Sequence, residues 1–358
     1  MFLLQQILDY GYAAGNNANS GTSLSAPVAT LANAYSKLPS GGTTETNIIV
    51  VLGTLTDNTY INSSTLTNQQ LTNHRNPTYD REATLTGAYG GVNYNGVLPF
   101  SGGRFLSRAT EFHHLSLNGA GTPAETYFYL QGENMTFGEG VTMSGYATIS
   151  GFADGGMSAN TASFHLIAGF QIPANINQNS NLDGLSAHGA KVVIRSGTFA
   201  RVVAGSRVEA GSTTAGYVLG KINTYTMSIT VDIRNSTTNV AHGFDVNLIV
   251  GGQTDGSMYS DVTINIKNGK VGRVVGANVA YGRTSSAAIP SNTVFGDITI
   301  NISGGTVEEM YGGGLGRFAA TGQGLTEVYF YGIININISG GVINSQVYGA
   351  GAARSDGL

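Results

Sequence analysis

Between Lys191 and Gly351 apolar and polar residues alternate with period two, the pattern of strands that bury one face. The clearest run is Ile298-Thr299-Ile300-Asn301-Ile302, which puts three isoleucines on one side and Thr299 and Asn301 on the other. The run recurs with Val262, Ile264 and Ile266, and with Ile334, Ile336 and Ile338. Written out, the copies are DVTINIKNG (Asp261–Gly269), DITINISGG (Asp297–Gly305) and IININISGG (Ile333–Gly341), spaced 36 residues apart. KVVIRSGTF (Lys191–Phe199) and SITVDIRNS (Ser228–Ser236) are weaker copies. Taking the Ile before each turn as an anchor gives Ile194, Ile233, Ile266, Ile302 and Ile338, at intervals of 39, 33, 36 and 36 residues. A period of this size marks a repeat architecture, in which each unit buries its apolar face by stacking on the next.

Each anchor leads into a small-residue turn and a second strand, as in TVEEMYGGG (Thr306–Gly314) and VINSQVYGAG (Val342–Gly351). Gly205, Gly243, Gly276, Gly312 and Gly349 follow their anchors by 10 or 11 residues, where a bend or a positive φ is expected. The polar stretches Gly282–Thr293 and Gly316–Leu325 read as loops. ATLTGAYGG (Ala83–Gly91), FHHLSLNGAG (Phe112–Gly121), ENMTFGEGV (Glu133–Val141) and YATISGFADGG (Tyr146–Gly156) pair a strand with a Gly turn, so they read as earlier units of the same stack. Coils stacked at about 4.8 Å bring like residues into ladders. Asn265, Asn301 and Asn337 then form an outward row whose side-chain amides hydrogen-bond from coil to coil, a structural role. The pattern predicts an all-β parallel β-helix, with an N-terminal capping segment over 1–46 and one continuous solenoid over 47–358.

Composition supports this and narrows the partners. Gly supplies 52 of 358 residues, Pro only 7, and charged residues 11%, which suits tightly turned strands and excludes collagen. A net charge of −4 without a basic run argues against nucleic acid. Zero cysteines remove disulfides and thiolate metal sites. The opening MFLLQQILDYGYAAG lacks a basic n-region, and no stretch reaches the ~18 apolar residues of a membrane span. The chain is expected to begin at a processing boundary and, stopping at Ala353–Leu358 just after a complete repeat, to continue in the natural protein.

Candidate chemistry is sparse. Tyr127 and Tyr129 flank Phe128, and Tyr329 and Tyr331 flank Phe330; by alternation either the tyrosines or the phenylalanine of each cluster face outward, where Tyr can stack on sugar rings. Arg207, Arg283, Arg317 and Arg354 each follow the Gly-rich end of a second strand, and aligned they would make a positive stripe for anionic sugars. Asp261 and Asp297 open adjacent coils and are the one candidate Ca²⁺ pair, although Ile333 fills the third position. Glu308 and Glu309 are sequence neighbours pointing to opposite faces, so they form no acid–base dyad. On a strand, one of His113 and His114 points inward and the other outward. GTSLSAP (Gly21–Pro27) resembles the nucleophile segment of subtilisin-like proteases. Only 22 residues precede Ser23, and no Asp-Thr-Gly or His-Gly-Thr segment stands among them, so the triad that chemistry requires is missing.

Two stretches carry a family resemblance. Gly11–Asp57 resembles the opening of secreted, right-handed parallel β-helix proteins of the pectate-lyase-like type: a Gly/Asn/Ser loop, a short amphipathic helix (here Thr30–Leu38, with Leu31, Ala34, Tyr35 and Leu38 on one face), then a first strand (Asn47–Leu52). The SGG turns with YGGG or YGAG strand ends, and Tyr127–Met143, are similar to coils of adhesin-like surface proteins of Gram-positive bacteria. The resemblance implies a right-handed coil with a capping helix, extracellular or cell-surface display, and contact with glycans or neighbouring cells. The expected function is a non-enzymatic adhesin-like scaffold that binds carbohydrate or a cell surface along one long face. No catalytic residue is assigned, and structural Ca²⁺ is the one cofactor considered. The alternatives are a polysaccharide lyase or glycoside hydrolase on the same fold, or a fibre-forming protein that associates end to end or laterally.

Overall fold

A computed structural model of the chain describes residues 6–8, 15–55, 79–100, 108–119, 133–144, 191–205, 226–235, 243–252, 261–279, 292–317 and 328–354, with further short segments between them. The protein is mostly strand, with one helix among the described residues. Its largest sheet has sixteen strands and pairs in parallel throughout. Two limbs of that sheet converge on the strand Ile298–Tyr311. The Ile298–Ile302 half of this strand pairs with Val262–Ile266, and the Thr306–Tyr311 half pairs with Lys270–Val275. Ile334–Tyr348 lies against both halves. A separate four-stranded parallel sheet joins Val218–Leu219, Ser257–Tyr259, Asn292–Phe295 and Val328–Tyr331. Its third strand begins inside the stretch that the sequence marks as the loop Gly282–Thr293.

Parallel, in-register pairing forces columns. One column runs from Ile49 through Leu85, Phe112, Phe137, Ile194, Val231, Ile266 and Ile302 to Ile338. All but Ile338 are buried, and each contributes on the order of 1.5–3 kcal/mol by leaving water. Phe137 meets Phe112 and Phe199 edge-on, with centroids 5.8 and 4.8 Å away, the arrangement favoured by ring quadrupoles.

Three positions in the repeat differ from the sequence reading. The partner of Ile194 is Val231, not Ile233, so the column steps by 37, 35, 36 and 36 residues (194 to 231, 231 to 266, 266 to 302, 302 to 338). The cause is a register shift after Val231, where Asp232 pairs with Asn268 and leaves Ile233 at the corner, still buried. Gly205 lies one residue past the glycine column, where Ala204 holds the slot of its repeat, and outside the column too is Gly243. It takes φ +75° with open space around its missing Cβ, whereas the matching slot in its repeat is Gly251. Gly251, Gly276 and Gly312 are needed for close approach rather than for positive φ. A Cβ on each would sit 2.2, 2.1 and 2.5 Å from the carbonyl oxygens of Gly276, Gly312 and Gly349.

At the first edge of the large sheet, the helix forms over Leu31–Lys37. Thr30 caps it by accepting the Asn33 N–H at 3.2 Å. Asn17 Oδ1 accepts the N–H groups of Ala29 and Thr30 at 3.1 and 3.2 Å, fixing the loop that feeds the helix. Leu31, Ala34, Tyr35 and Leu38 are buried, as their spacing predicts, and Tyr35 meets Tyr79 edge-on at 5.1 Å. Gln6–Leu8, left without structure by the sequence reading, pairs in parallel with Ile49–Val51.

Ile300→Ala removes a fully buried column member and is expected to cost about 2–5 kcal/mol in chemical denaturation, whereas Asn301→Ala on the outer face costs about 1 kcal/mol. Gly312→Ala places a methyl against a backbone oxygen that has no rotamer to change, so a loss of about 1–3 kcal/mol is expected, with Gly243→Ala as the comparison for strain from φ alone.

Candidate functional site

The outward rows divide into those that staple the stack and those left facing solvent. The asparagine row is a staple. Asn337 Nδ2 donates to Asn301 Oδ1 at 2.9 Å, Asn301 Nδ2 to Asn265 Oδ1 at 2.9 Å, and Asn265 Nδ2 to Thr230 Oγ1 at 3.3 Å. Asp261 and Asp297 stand in vertical succession and bind backbone. The Asp297 N–H donates to Asp261 Oδ1 and the Ile333 N–H to Asp297 Oδ1, both at 2.8 Å. Ile333, which ends the acidic ladder in the sequence, is therefore the last donor of the same device. Among the described residues no group of three or more His, Asp or Glu side chains gathers as a metal site.

The aromatic cluster at 329–331 resolves in favour of the tyrosines. Tyr329 and Tyr331 are 47% and 60% exposed, while Phe330 packs against the core. Register pairs Tyr331 with Phe295 and Phe295 with Tyr259, and the Tyr331 and Phe295 rings stack with centroids 5.3 Å apart and planes within 9°. Two aromatic rings thus stack across the last two strands of the four-stranded sheet, and the Tyr259 side chain lies outside the described set. Tyr127 and Tyr129 lie in the strand Thr126–Tyr129, in register with His165 and Ile167, and their side chains lie outside the described set.

Of the arginines, Arg317 and Arg354 are direct register partners in a two-stranded parallel sheet, so the spacing does align them, although their side chains lie outside the described set. Arg283 and YATISGFADGG (146–156) lie outside the described residues. Arg207 pairs with Gln171 in another short sheet.

The histidine expectation is corrected: neither ring points inward. The inward slot belongs to Phe112, His113 faces out, and His114 is exposed at φ 47°, where the chain turns. His113 Nε2 lies 3.1 Å from Glu111 Oε2, and Thr44 Oγ1 donates to Glu111 Oε1 at 3.2 Å. The His113 hydrogen bond holds the Glu111 carboxyl below its ordinary range, against the opposing effect of burial. Ser23 is exposed, and its hydroxyl pairs with Ser25 at 3.1 Å. Glu308 and Glu309 diverge as their parity requires. Glu308 accepts from Asn344 at 2.9 Å. Glu309 is buried, accepting Arg273 Nε at 2.8 Å and the Tyr311 hydroxyl at 2.6 Å.

Sequence reasoning missed one feature, a groove of about 490 Å³ where the turns of three successive strands meet. Its wall includes Glu139, Arg195, Asp232, Arg234 and Asp245. Asp232 accepts Asn268 Nδ2 at 2.6 Å and Arg234 Nε at 3.4 Å, and the asparagine bond above all lowers its pKa. Asp245 is buried and accepts the Lys270 N–H at 2.7 Å. The one sequence signal was a charged residue beside the turn in successive repeats, visible only once Val231 replaces Ile233 as the anchor.

No helix among the described residues is long and apolar enough to cross a membrane. Compared with models of known protein families, with curated proteins and with solved structures, the chain has no match.

Glu111 and Asp232 both have lowered folded pKa values, so their contribution to stability is complete above the unfolded carboxyl range of about 4 and is lost as pH falls through the folded values. Thermal melts are expected to show Glu111→Gln less stable than the parent at pH 7, with the gap closing as the buffer is taken below about pH 4.

Proposed function

We propose that the chain winds as a right-handed parallel β-helix, shown to the outside of the cell, and serves as a non-enzymatic adhesin-like scaffold that holds carbohydrate or a neighbouring surface along one face. The coil reading rests on in-register parallel columns that advance by 35 to 37 residues from Ile194 onward, with both limbs of the sheet meeting on Ile298–Tyr311. The binding reading rests on one observation: Tyr329 and Tyr331 are exposed on the last strand of the four-stranded sheet, with the Tyr331 ring stacked on the half-buried Phe295, on a surface otherwise poor in charge. Flat rings at the spacing of β-strands offer stacking faces to sugars, and Tyr adds a hydroxyl for hydrogen bonding. The Asn and Asp rows are occupied in holding the stack together, which leaves the aromatics as the contact groups.

The enzymatic alternative needs two working carboxylates in one groove. In the corner groove Asp232 and Asp245 are both committed to hydrogen bonds within the protein, so among its described lining residues only Glu139 is left for such a role. Release of unsaturated or reducing sugar from a polysaccharide panel would make that alternative the better reading. Filaments that lengthen with protein concentration would favour the fibre-forming one.

The test is a glycan array with a cell-adhesion assay on the intact protein. Tyr331→Ala and Tyr329→Ala are expected to remove most of the signal while lowering stability by only about 1 kcal/mol, the scale of one lost ring contact on a partly solvated side chain. Absence of any glycan or cell binding by the parent protein would sink the proposal.

A further inference from the structure

The corner groove concentrates charge in a protein that has little. Of 17 basic and 21 acidic residues, 38 in all, five line this one groove. Three are accounted for internally: Asp232 by Asn268, Asp245 by the Lys270 N–H, and Arg234 by Asp232. Glu139 and Arg195 are different. Neither side chain makes a hydrogen bond or ion pair among the described residues, and both line this groove, although Arg195 is also near enough to Glu111 to help lower its pKa. Their backbone frame is fixed. Ser196 Oγ donates to the Gly138 carbonyl and accepts the Val141 N–H, which ties the two turns to each other. Gly140 and Gly197 hold these turns at φ +69° and +95°, conformations a side chain rarely adopts. Two opposite charges held apart on a pre-formed frame bind a ligand without first giving up a bond to each other.

We propose that this groove binds a saccharide unit carrying a carboxylate on one ring and a free ammonium on its neighbour. The carboxylate lies against the Arg195 guanidinium, which presents a planar fork suited to it, with Arg234 beside it. The ammonium lies against Glu139, and ring hydroxyls reach Thr142 and Asn235 on the rim. A purely anionic sugar would be repelled by Glu139, and an N-acetylated one would leave that carboxylate without a counter-charge. The volume of about 490 Å³ suits a small ligand rather than a protein surface. The inference rests on the glycan-binding reading above and names the sugar class at a second place on the molecule.

The experiment is calorimetric titration of the full chain with a glucuronate–glucosamine disaccharide bearing a free amine, alongside its N-acetylated form and a neutral disaccharide. The free-amine form is expected to bind about tenfold or more tightly than either comparison, the value of one charge-assisted hydrogen bond. Glu139→Gln is expected to abolish discrimination between free and acetylated amine, and Arg195→Gln to abolish the preference for the carboxylate. Both positions are exposed, and an unchanged melting curve shows that each variant folds. Tyr331→Ala leaves this binding intact, which separates it from the exposed tyrosines. The proposal is overturned if the parent fails to bind the free-amine disaccharide at millimolar concentration, if both substitutions leave its affinity unchanged, or if free amino acids bind as tightly. Array binding that survives any of those results leaves the surface reading standing without this one.

Discussion

Backbone hydrogen bonds between parallel strands fix neighbouring repeats at about 4.8 Å, and this spacing governs every other feature of the molecule. At that distance each residue has the equivalent residue of the next repeat directly against it. Inside, like side chains stack into columns of Ile, Val and Phe. Outside, a polar residue has its counterpart one repeat on within hydrogen-bond reach, and several pair with it or with the backbone beside it. The Asn265–Asn301–Asn337 amides do so side chain to side chain, and Asp261 and Asp297 side chain to backbone. Residues that look like isolated functional candidates in the sequence thus turn out to be occupied by their neighbours in the stack.

The same spacing explains the charged groups on the second limb. Arg273 and Glu309 are register partners, and Tyr311 closes the group from two residues along. A buried pair of this kind is satisfied only as a unit, since removing one member leaves the other desolvated and unpaired. The next repeat keeps the geometry without the charge: Gln346 occupies the glutamate slot and accepts from Tyr348, whose ring stacks on Tyr311 at 4.9 Å.

How much of this was legible depended on whether the signal was local. The isoleucine triplets, the Asn row and the helix with its Thr30 cap each occupy a short window, and the structure places them where the pattern puts them. Val231 and Ile233 are two apolar residues of the same parity, both buried, and only the displaced pairing of Asp232 with Asn268 tells which one joins the column. The expectation that one of His113 and His114 points inward failed because the strand ends at His113: His114 turns at φ 47°, which breaks the alternation and passes the next inward slot to Leu115. The corner groove was invisible for another reason. Its residues come from three turns and the strand start at Asp245, so nothing in a linear window brings Glu139, Arg195 and Asp232 together.

The glycine line at the opposite bend carries a consequence of its own. Gly251, Gly276, Gly312 and Gly349 meet carbonyl to α-carbon, so one repeat can be exchanged for another at that seam without disturbing its fit. A 36-residue block duplicated or excised between Gly276 and Gly312 restores the same glycine-to-carbonyl contact at the seam. Lengthening or shortening by a whole coil therefore keeps every column in phase, and the coils themselves tolerate unequal loops, whereas a one-residue change within a strand turns its buried side chains to the other face.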